Sequence, residues 1–168
     1  TVTVGSGNSA LESAIMMNEI AKKVYLISKF TDTPENKGGF PKGEDILIDK
    51  VKSLPNVEII YGAKAKEIIG KENVQTLKFI DSAGKEQLLN IEGVMVHVGQ
   101  IPNSGFVPSI KLDQGKQIMV DEKCRTNIPG IFAAGDVTNV AYKQIGIASG
   151  QGITAALATI EYINLWKE

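Results

Sequence analysis

Residues 1–13 read TVTVGSGNSALES, and this stretch decides the fold. A short β-branched run leads into two glycines and then into a segment whose apolar residues have helical spacing. The letters GSGNSA fit the pattern G-x-G-x-x-G/A. In this pattern the first glycine permits a tight turn, the second lets a pyrophosphate approach the backbone, and the third position keeps the helix close to the strand.

The helix that follows such a turn offers unpaired N–H groups and a partial positive charge at its N-terminus. A second strand arrives about 20 residues later, as dinucleotide-binding units require. The stretch therefore predicts a dinucleotide-binding turn, and a plain glycine turn within a βαβ unit is the alternative. The residues of the predicted turn are Gly5, Ser6, Gly7, Asn8, Ser9 and Ala10.

The segments that follow place this turn in an α/β fold. Residues 23–28 (KVYLIS) and 57–61 (VEIIY) have strand composition, and residues 46–54 have the spacing of an amphipathic helix. The order β-α-β-α-β predicts a Rossmann-like parallel sheet with helices packed on it. Residues 63–92 then predict an antiparallel β-meander, and residues 93–99 (GVMVHVG) predict a strand buried on both faces.

Composition excludes several classes of protein. The chain has 168 residues and a net charge of −1, which gives no reason to expect nucleic acid or an anionic membrane as a partner. No apolar run approaches the roughly 20 residues of a membrane span, and no signal peptide is visible. Cys124 is the only cysteine, so no disulfide forms within the chain and a cytoplasmic location is expected.

The end of the second predicted strand bears on the choice of cofactor. It reads Ser28-Lys29-Phe30, without the carboxylate that holds the ribose 2′-OH in NAD-binding proteins. Lys29 can pair with a 2′-phosphate and Ser28 can donate to it, which favours NADPH over NADH. The alternative is that Lys29 is an ordinary solvated lysine and that Asp32 reaches in from the loop.

Residues 130–163 contain the most specific motif, GIFAAGDVTNVAYKQIGIASGQGITAALATIEYI. Residues 131–134 predict a buried strand, after which Gly135 lets a ligand approach and Asp136 offers a carboxylate. A long helix is predicted from about residue 144 to residue 166. The small residues on its first turns leave room for a planar group or permit close helix packing.

Three stretches carry a family resemblance: VGSGNSALESA at 4–14, VHVGQIPN at 96–103 and CRTNIPGIFAAGDVTNVAYKQI at 124–145. In these motifs the chain resembles the low-molecular-weight thioredoxin reductases and the flavoprotein subunit of alkyl hydroperoxide reductase. The resemblance implies a hydride path from NAD(P)H to FAD and on to a disulfide of a thioredoxin- or peroxiredoxin-like partner. It also implies a homodimer.

The resemblance divides the chain into an NAD(P)-binding domain, residues 1–99, and the C-terminal part of a split FAD-binding domain, residues 100–168. It gives Gly99 a place near the nicotinamide, and Asp136 the hydrogen bond to the flavin's ribityl chain. The further flavin-site residues that it implies are Gly135, Lys143, Gln144 and Ile145. No catalytic residue and no metal ligand is predicted, and His97 is interpreted either as a core histidine or as a neighbour of the nicotinamide.

In the family, the first half of the FAD domain and a redox-active CxxC precede the NAD(P) domain. This sequence has one glycine-rich fingerprint and no CxxC. The expectation is therefore a C-terminal fragment of a longer enzyme that is inactive in isolation. Two alternatives remain: a flavoprotein reductase without the dithiol that passes electrons to ferredoxin, and a non-catalytic nucleotide-binding module. A CxxC encoded upstream of Thr1 would decide between the disulfide-reducing enzyme and the reductase that passes electrons to ferredoxin.

Overall fold

The computed structural model describes residues 1–165 of the chain. The chain divides into two compact units, Thr1–Gly99 and Gln100–Glu168. The elements of the first unit are β1 (Val2–Gly5), α1 (Asn8–Asn18), β2 (Val24–Ile27), a 3-10 turn (Pro34–Asn36), α2 (Asp45–Ser53), β3 (Val57–Ile60), β4 (Lys64–Gly70), β5 (Val74–Ile80), β6 (Glu86–Asn90) and β7 (Val94–His97). The second unit contains α3 (Ile145–Leu165).

The first unit is built on a four-stranded parallel sheet in the order β3-β2-β1-β7. Strand β1 is the switch point of this sheet: α1 leads from it to β2 on one side, and β7 pairs with it on the other. All four strands run in one direction, so their carboxyl ends meet at one edge. In open sheets of this kind, ligands bind at that edge beside the switch point.

Apolar clusters cover both faces of the parallel sheet. On one face, residues of α1, α2 and the loop before α2 pack with β2, including the fully buried Leu11, Phe40 and Leu26. On the other face, Val2 and Ile27 pack against residues of the antiparallel sheet β4-β5-β6, among them Leu77. The predicted parallel sheet and antiparallel meander are thus both present.

Strand β7 differs from the prediction. It is an edge strand of the parallel sheet, and Val96 and Val98 are 54% and 73% exposed. The prediction of a strand buried on both faces was therefore wrong. The apolar composition of the segment indicates a strand. It does not show whether that strand has neighbours on both sides within this unit.

The second unit begins with irregular segments. Isolated bridges join Leu112 to Ile118, Ile118 to Thr138, and Arg125 to Phe132. The predicted buried strand at residues 131–134 is absent: Phe132 makes a single bridge, and all four residues are only half-buried. Without neighbouring strands to supply hydrogen bonds, this apolar segment does not become a strand.

Helix α3 confirms the long helix predicted for this region, although residue 166 lies outside the described residues. Its composition is strongly apolar, yet Ala158 is its only buried residue within the described range. Exposed apolar side chains follow one another along it: Ile145, Ile153, Leu157, Ile160, Ile163 and Leu165. Within residues 1–165, no helix is both long and apolar enough to cross a membrane.

Candidate functional site

The turn between β1 and α1 needs its first glycine for the fold. Gly5 has φ +152°, in the region that favours glycine. A Cβ placed on Gly5 would overlap the carbonyl oxygen of His97 on β7 and approach the Cβ of Ala10 to 2.9 Å. Gly5 and Ala10, which is fully buried, therefore let the strand and the helix pack closely.

Gly7 has no such role in the fold. It is the N-cap of α1 with φ −116° and ψ −178°, a conformation open to any residue, and no side chain caps the helix. A Cβ on Gly7 meets no atom of the chain within 4 Å. The first turn of α1 carries no acidic residue, and although the N–H of Ala10 donates to the Gly7 carbonyl at 3.0 Å, the N–H groups of Asn8 and Ser9 come too early in the helix for an intrahelical acceptor. The missing side chain thus leaves open space before an uncapped, electropositive helix end, which fits an anionic diphosphate.

The remaining residues of the turn line the entrance to this space. Ser6 is half-buried between the two glycines, and Ser9 is exposed on the first turn of the helix. The side chain of Asn8 makes two hydrogen bonds with Glu44: its amide donates to Oε1 at 2.9 Å, and its oxygen accepts from the backbone N–H at 2.8 Å. Asn8 therefore fixes the loop before α2 to the turn.

That loop brings a cation beside the turn. Gly7 and Lys42 form a parallel backbone bridge, and the Lys42 side chain is exposed. Lys37, in contrast, is engaged, since its ammonium donates to the Gly43 carbonyl at 2.9 Å and lies 3.0 Å from the Asp45 carboxylate. Sequence reasoning missed Lys42, because a pairing between residues 35 positions apart leaves no local pattern.

The carboxyl end of β2 leads into Ser28, one of the predicted cofactor-binding residues. Ser28 is fully buried; its hydroxyl donates to the Gly39 carbonyl and accepts from the N–H of Phe30 at 3.2 Å. Its single hydrogen is therefore donated to the following loop in this structure, and the assignment of Ser28 to a cofactor phosphate stays a prediction. In the sequence, the glycine-rich loop after β2 is the feature that could have indicated this hydrogen bond, because the Ser28 hydroxyl donates to a carbonyl of that loop.

Lys29 and Asp32, which follow the end of β2, differ in their contacts. Lys29 is exposed, with its ammonium 5.1 Å from the centre of the Phe30 ring. Asp32 lies 3.4 Å from the ammonium of Lys52. Among the ion pairs of residues 1–165, neither Lys29 nor Lys42 has an acidic partner. Two cations at this edge thus have no ion-pair partner, and the Glu44 carboxylate bound to Asn8 is an anion at the same turn.

The carboxyl end of β7 lies on the other side of the turn. His97 is in register with Gly5, and its Nε2 is 2.7 Å from the hydroxyl oxygen of Ser13 on α1. Gly99 follows with φ +97°; it is exposed, and an added Cβ meets no atom of the chain within 4 Å. His97 is thus a half-buried histidine with one side-chain hydrogen bond, at the edge where ligands bind.

In the second unit, Gly135 has φ +81° and is buried. Its N–H donates to Oε1 of Gln151 at 2.8 Å, and its carbonyl accepts from both the N–H and the hydroxyl of Thr138. Gly135 therefore supports a turn in this structure, and the adjacent Asp136 is exposed.

Asp136 and Lys143 line an open cavity of about 650 Å³ within the second unit. The other lining residues are Gln100, Ile101, Pro102, Asn103, Phe106, Gln117 and Val137. The Lys143 ammonium donates to the carbonyl of Thr138. Gln144 and Ile145 are exposed at the start of α3, and the Gln144 carbonyl accepts from Ala148 at 2.9 Å. The cavity is open to solvent, and its lining combines apolar side chains with polar and charged ones.

Cys124 has the environment of a structural thiol. It is buried, and its Sγ donates to the Gln151 carbonyl at 3.5 Å. Burial raises the pKa of the thiol, and the nearby Asp121 carboxylate raises it further. Because the thiolate is the reactive form, Cys124 is not suited to act as a nucleophile.

Comparison with known proteins agrees with these features. The family described as pyridine nucleotide-disulphide oxidoreductase matches residues 1–152. The chain belongs to this family. Its members are oxidoreductases, and the match includes both the glycine turn and most of the second unit.

Individual members of the pyridine nucleotide-disulphide oxidoreductase family narrow the relationship. The alkyl hydroperoxide reductase F subunit of Staphylococcus aureus strain Mu50 is 38% identical over 162 residues, 95% of this chain and 30% of that protein. Its counterpart in Staphylococcus epidermidis is 36% identical over the same length. The chain thus spans about 30% of the curated relatives it matches.

Solved structures of the family show the same fold. Thioredoxin reductase of Lactococcus lactis superposes with a TM-score of 0.79 at 25% identity, covering 98% of this chain and 53% of that one. Thioredoxin reductase of T. acidophilum gives 0.73 at 35% identity, covering 97% and 51%. The resemblance to thioredoxin reductases and to the peroxide reductase flavoprotein is therefore confirmed, together with the α/β fold class.

Proposed function

We propose that this chain binds NADPH through its first unit and forms the C-terminal part of a thioredoxin-reductase-like flavoenzyme. In the whole enzyme, hydride passes from NADPH to FAD and then reduces a disulfide that serves a thioredoxin- or peroxiredoxin-like protein. The observation that carries the proposal is the open space that Gly7 leaves before the uncapped end of α1. The family match supports the same chemistry.

The residues of the turn fit the diphosphate of a dinucleotide. Free N–H groups and the helix dipole bind and orient the phosphates, while Gly7 lets them approach the backbone. The Asn8–Glu44 hydrogen bonds hold the loop so that it borders this space. The bound nucleotide supplies the hydride, and the chain supplies position and charge.

Lys29 and Lys42 support NADPH rather than NADH. The 2′-phosphate of NADPH is anionic. Lys29 follows the end of β2, Lys42 is paired through its backbone with Gly7 of the turn, and neither has an acidic partner among the described residues. Asp32, the candidate partner for a ribose 2′-OH, is paired with Lys52. A charge-assisted hydrogen bond contributes about 1.5–3 kcal/mol, enough to select the phosphorylated cofactor.

The second unit is proposed as the C-terminal part of an FAD domain. Asp136 and Lys143 on the cavity, with Gln144 and Ile145 at the start of α3, are the residues to hold the ribityl chain and the ring. The boundary of the two domains is placed at Gly99 and Gln100. The apolar side chains exposed along α3 support the view that further polypeptide completes this domain in the whole enzyme. The homodimer and the cytoplasmic location rest on the family resemblance and on the single cysteine.

Cofactor binding by the purified 168-residue chain tests the proposal. We expect NADPH to bind, measured by titration of its fluorescence, and FAD to be present far below one equivalent in the absorption spectrum. A chain that binds neither NADPH nor NADH contradicts the nucleotide site. A yellow preparation that reduces dyes with NADPH contradicts the view that the flavin site is incomplete.

A non-catalytic nucleotide-binding module remains the second candidate, favoured by the complete core of the first unit. A longer protein in which an N-terminal FAD-binding half is joined to this chain separates the two possibilities. We expect the longer protein to retain FAD and to oxidise NADPH in the presence of a disulfide acceptor. A longer protein that binds NADPH but retains no FAD supports the module.

A further inference from the structure

A single hydrogen bond ties the end of β7 to helix α1. Nε2 of His97 lies 2.7 Å from Oγ of Ser13, and Ser13 is 8% exposed. Ser13 is three residues after Ala10, so both face the sheet from the same side of the helix. The bond thus joins the helix that begins at the glycine turn to the strand next to β1.

His97 makes two contacts next to the turn. Its backbone is in register with Gly5 in the parallel sheet, and its ring reaches Ser13 on α1. The chain then leaves the sheet through Val98, which is 73% exposed, and Gly99. No sheet pairing of β7 extends past His97, so the His97–Ser13 hydrogen bond adds a second link between this exit and α1, beside the pairing of His97 with Gly5.

The topology assigns the two halves of a dinucleotide to different strands. In the proposed NADPH site the diphosphate is at the turn after β1, and the adenosine ribose is toward the end of β2, which Lys29 follows. The nicotinamide half then extends to the other side of β1, toward β7 and the exit that follows His97.

We propose that His97 is a positioning residue for the nicotinamide half of the cofactor, acting through Ser13. The hydrogen bond holds the exit from β7 at a fixed place relative to the phosphate-binding end of α1. This inference rests on the proposed NADPH site, and it distinguishes the two halves of the ligand: loss of the bond weakens binding of the nicotinamide half and leaves the adenosine half unchanged.

Two ligands and four variants of the 168-residue chain test the inference. The ligands are NADPH and 2′,5′-ADP, which lacks the nicotinamide half. We expect Ser13→Ala and His97→Leu each to weaken NADPH about 3- to 10-fold, the range for one hydrogen bond, and to change 2′,5′-ADP affinity less than about 2-fold. The double variant is expected to lose no more than either single variant. His97→Gln, whose amide can reach Ser13, is expected to retain most of the NADPH affinity.

Other outcomes overturn the inference. Equal losses for both ligands, or a lower melting temperature with unchanged ligand ratios, assign the bond a purely structural role. Unchanged NADPH affinity in Ser13→Ala, the variant with the smallest change in volume, shows that the bond does not position the cofactor. If the unaltered chain binds neither ligand, the proposed nucleotide site fails and the inference with it.

Discussion

Side chains added to the two glycines of the first turn are expected to have different effects, on the stability of the fold at Gly5 and on ligand binding at Gly7. Gly5→Ala places a Cβ against the His97 carbonyl and forces alanine into a backbone region used almost only by glycine. Gly7→Val places its side chain in space that no residue of the chain occupies, at backbone angles that valine adopts readily. One substitution therefore damages the fold, and the other damages the ligand site.

The magnitudes follow from these contacts. Backbone strain and overlap at Gly5 cost about 2–4 kcal/mol, which lowers the melting temperature by about 4–16 °C for a chain of this size. Gly7→Val changes an N-cap and costs less than about 1 kcal/mol. Its methyl groups exclude a diphosphate from the helix N–H groups. Since each hydrogen bond to a charged group contributes about 1.5–3 kcal/mol, NADPH is expected to bind at least about tenfold more weakly.

Thermal unfolding and NADPH titration measure the two effects separately. Gly93→Val is the matched control. Gly93 precedes the amino end of β7, away from the carboxyl ends of the strands where the glycine turn lies, and an added Cβ there meets only Thr1, at 3.6 Å. The control is expected to keep NADPH affinity. If Gly7→Val binds NADPH as tightly as the control, the phosphate site is refuted. If Gly5→Ala has the same melting temperature as the unaltered chain, the packing argument is refuted.

Three further expectations follow from individual side chains. Lys29→Ala should weaken the affinity for NADPH about tenfold and leave the affinity for NADH nearly unchanged, since only NADPH carries the 2′-phosphate. The control is Lys22→Ala, at an exposed lysine that precedes β2 at its amino end, and it should weaken neither affinity. Equal losses for both cofactors in Lys29→Ala contradict the assignment. Cys124 should react slowly with a thiol reagent at neutral pH and rapidly in denaturant, because burial raises its pKa; rapid reaction of the folded chain contradicts this environment. The pKa of Asp121 is lowered, first by the N–H of Arg125 and then by its guanidinium, so its contribution to stability is present above its ordinary pKa of 3.8 and is lost as the pH falls through the lower folded-state value. Asp121→Asn should therefore weaken the acid dependence of the melting temperature below about pH 4, and an unchanged profile argues against this contribution.

The first unit was predictable from sequence because its signals are local. Alternating strands and helices, the turn chemistry of Gly5 and the helical spacing after Asn8 all lie within short windows. The structure keeps them, with α2 shifted by one residue from the predicted range of 46–54. The exposure of β7 was not predictable, since it depends on the order of strands in the sheet rather than on the composition of the segment.

The candidate site was only partly predictable for the same reason. The glycine pattern located the turn, but Lys42 reaches it through a backbone pairing with Gly7, and Ser13 reaches His97 across 84 residues. Ser28 was assigned to the cofactor from its position at a strand end, although its hydroxyl satisfies the loop carbonyl of Gly39. Sequence position identifies which residues lie near an edge, and the hydrogen bonds decide which of them remain free to bind.

The two units differ in how far their own residues determine their sites. The first buries apolar clusters on both faces of its sheet, and these clusters fix β1, α1 and β2 around the glycine turn. The second has isolated bridges and a helix that buries only Ala158 within the described range. Apolar burial stabilises a fold by about 25 cal/mol per Å², so geometry supported by little burial is weakly held. The nucleotide turn can therefore be preorganised by this chain, whereas Asp136 and Lys143 are placed mainly by the hydrogen bonds of Gly135 and Thr138.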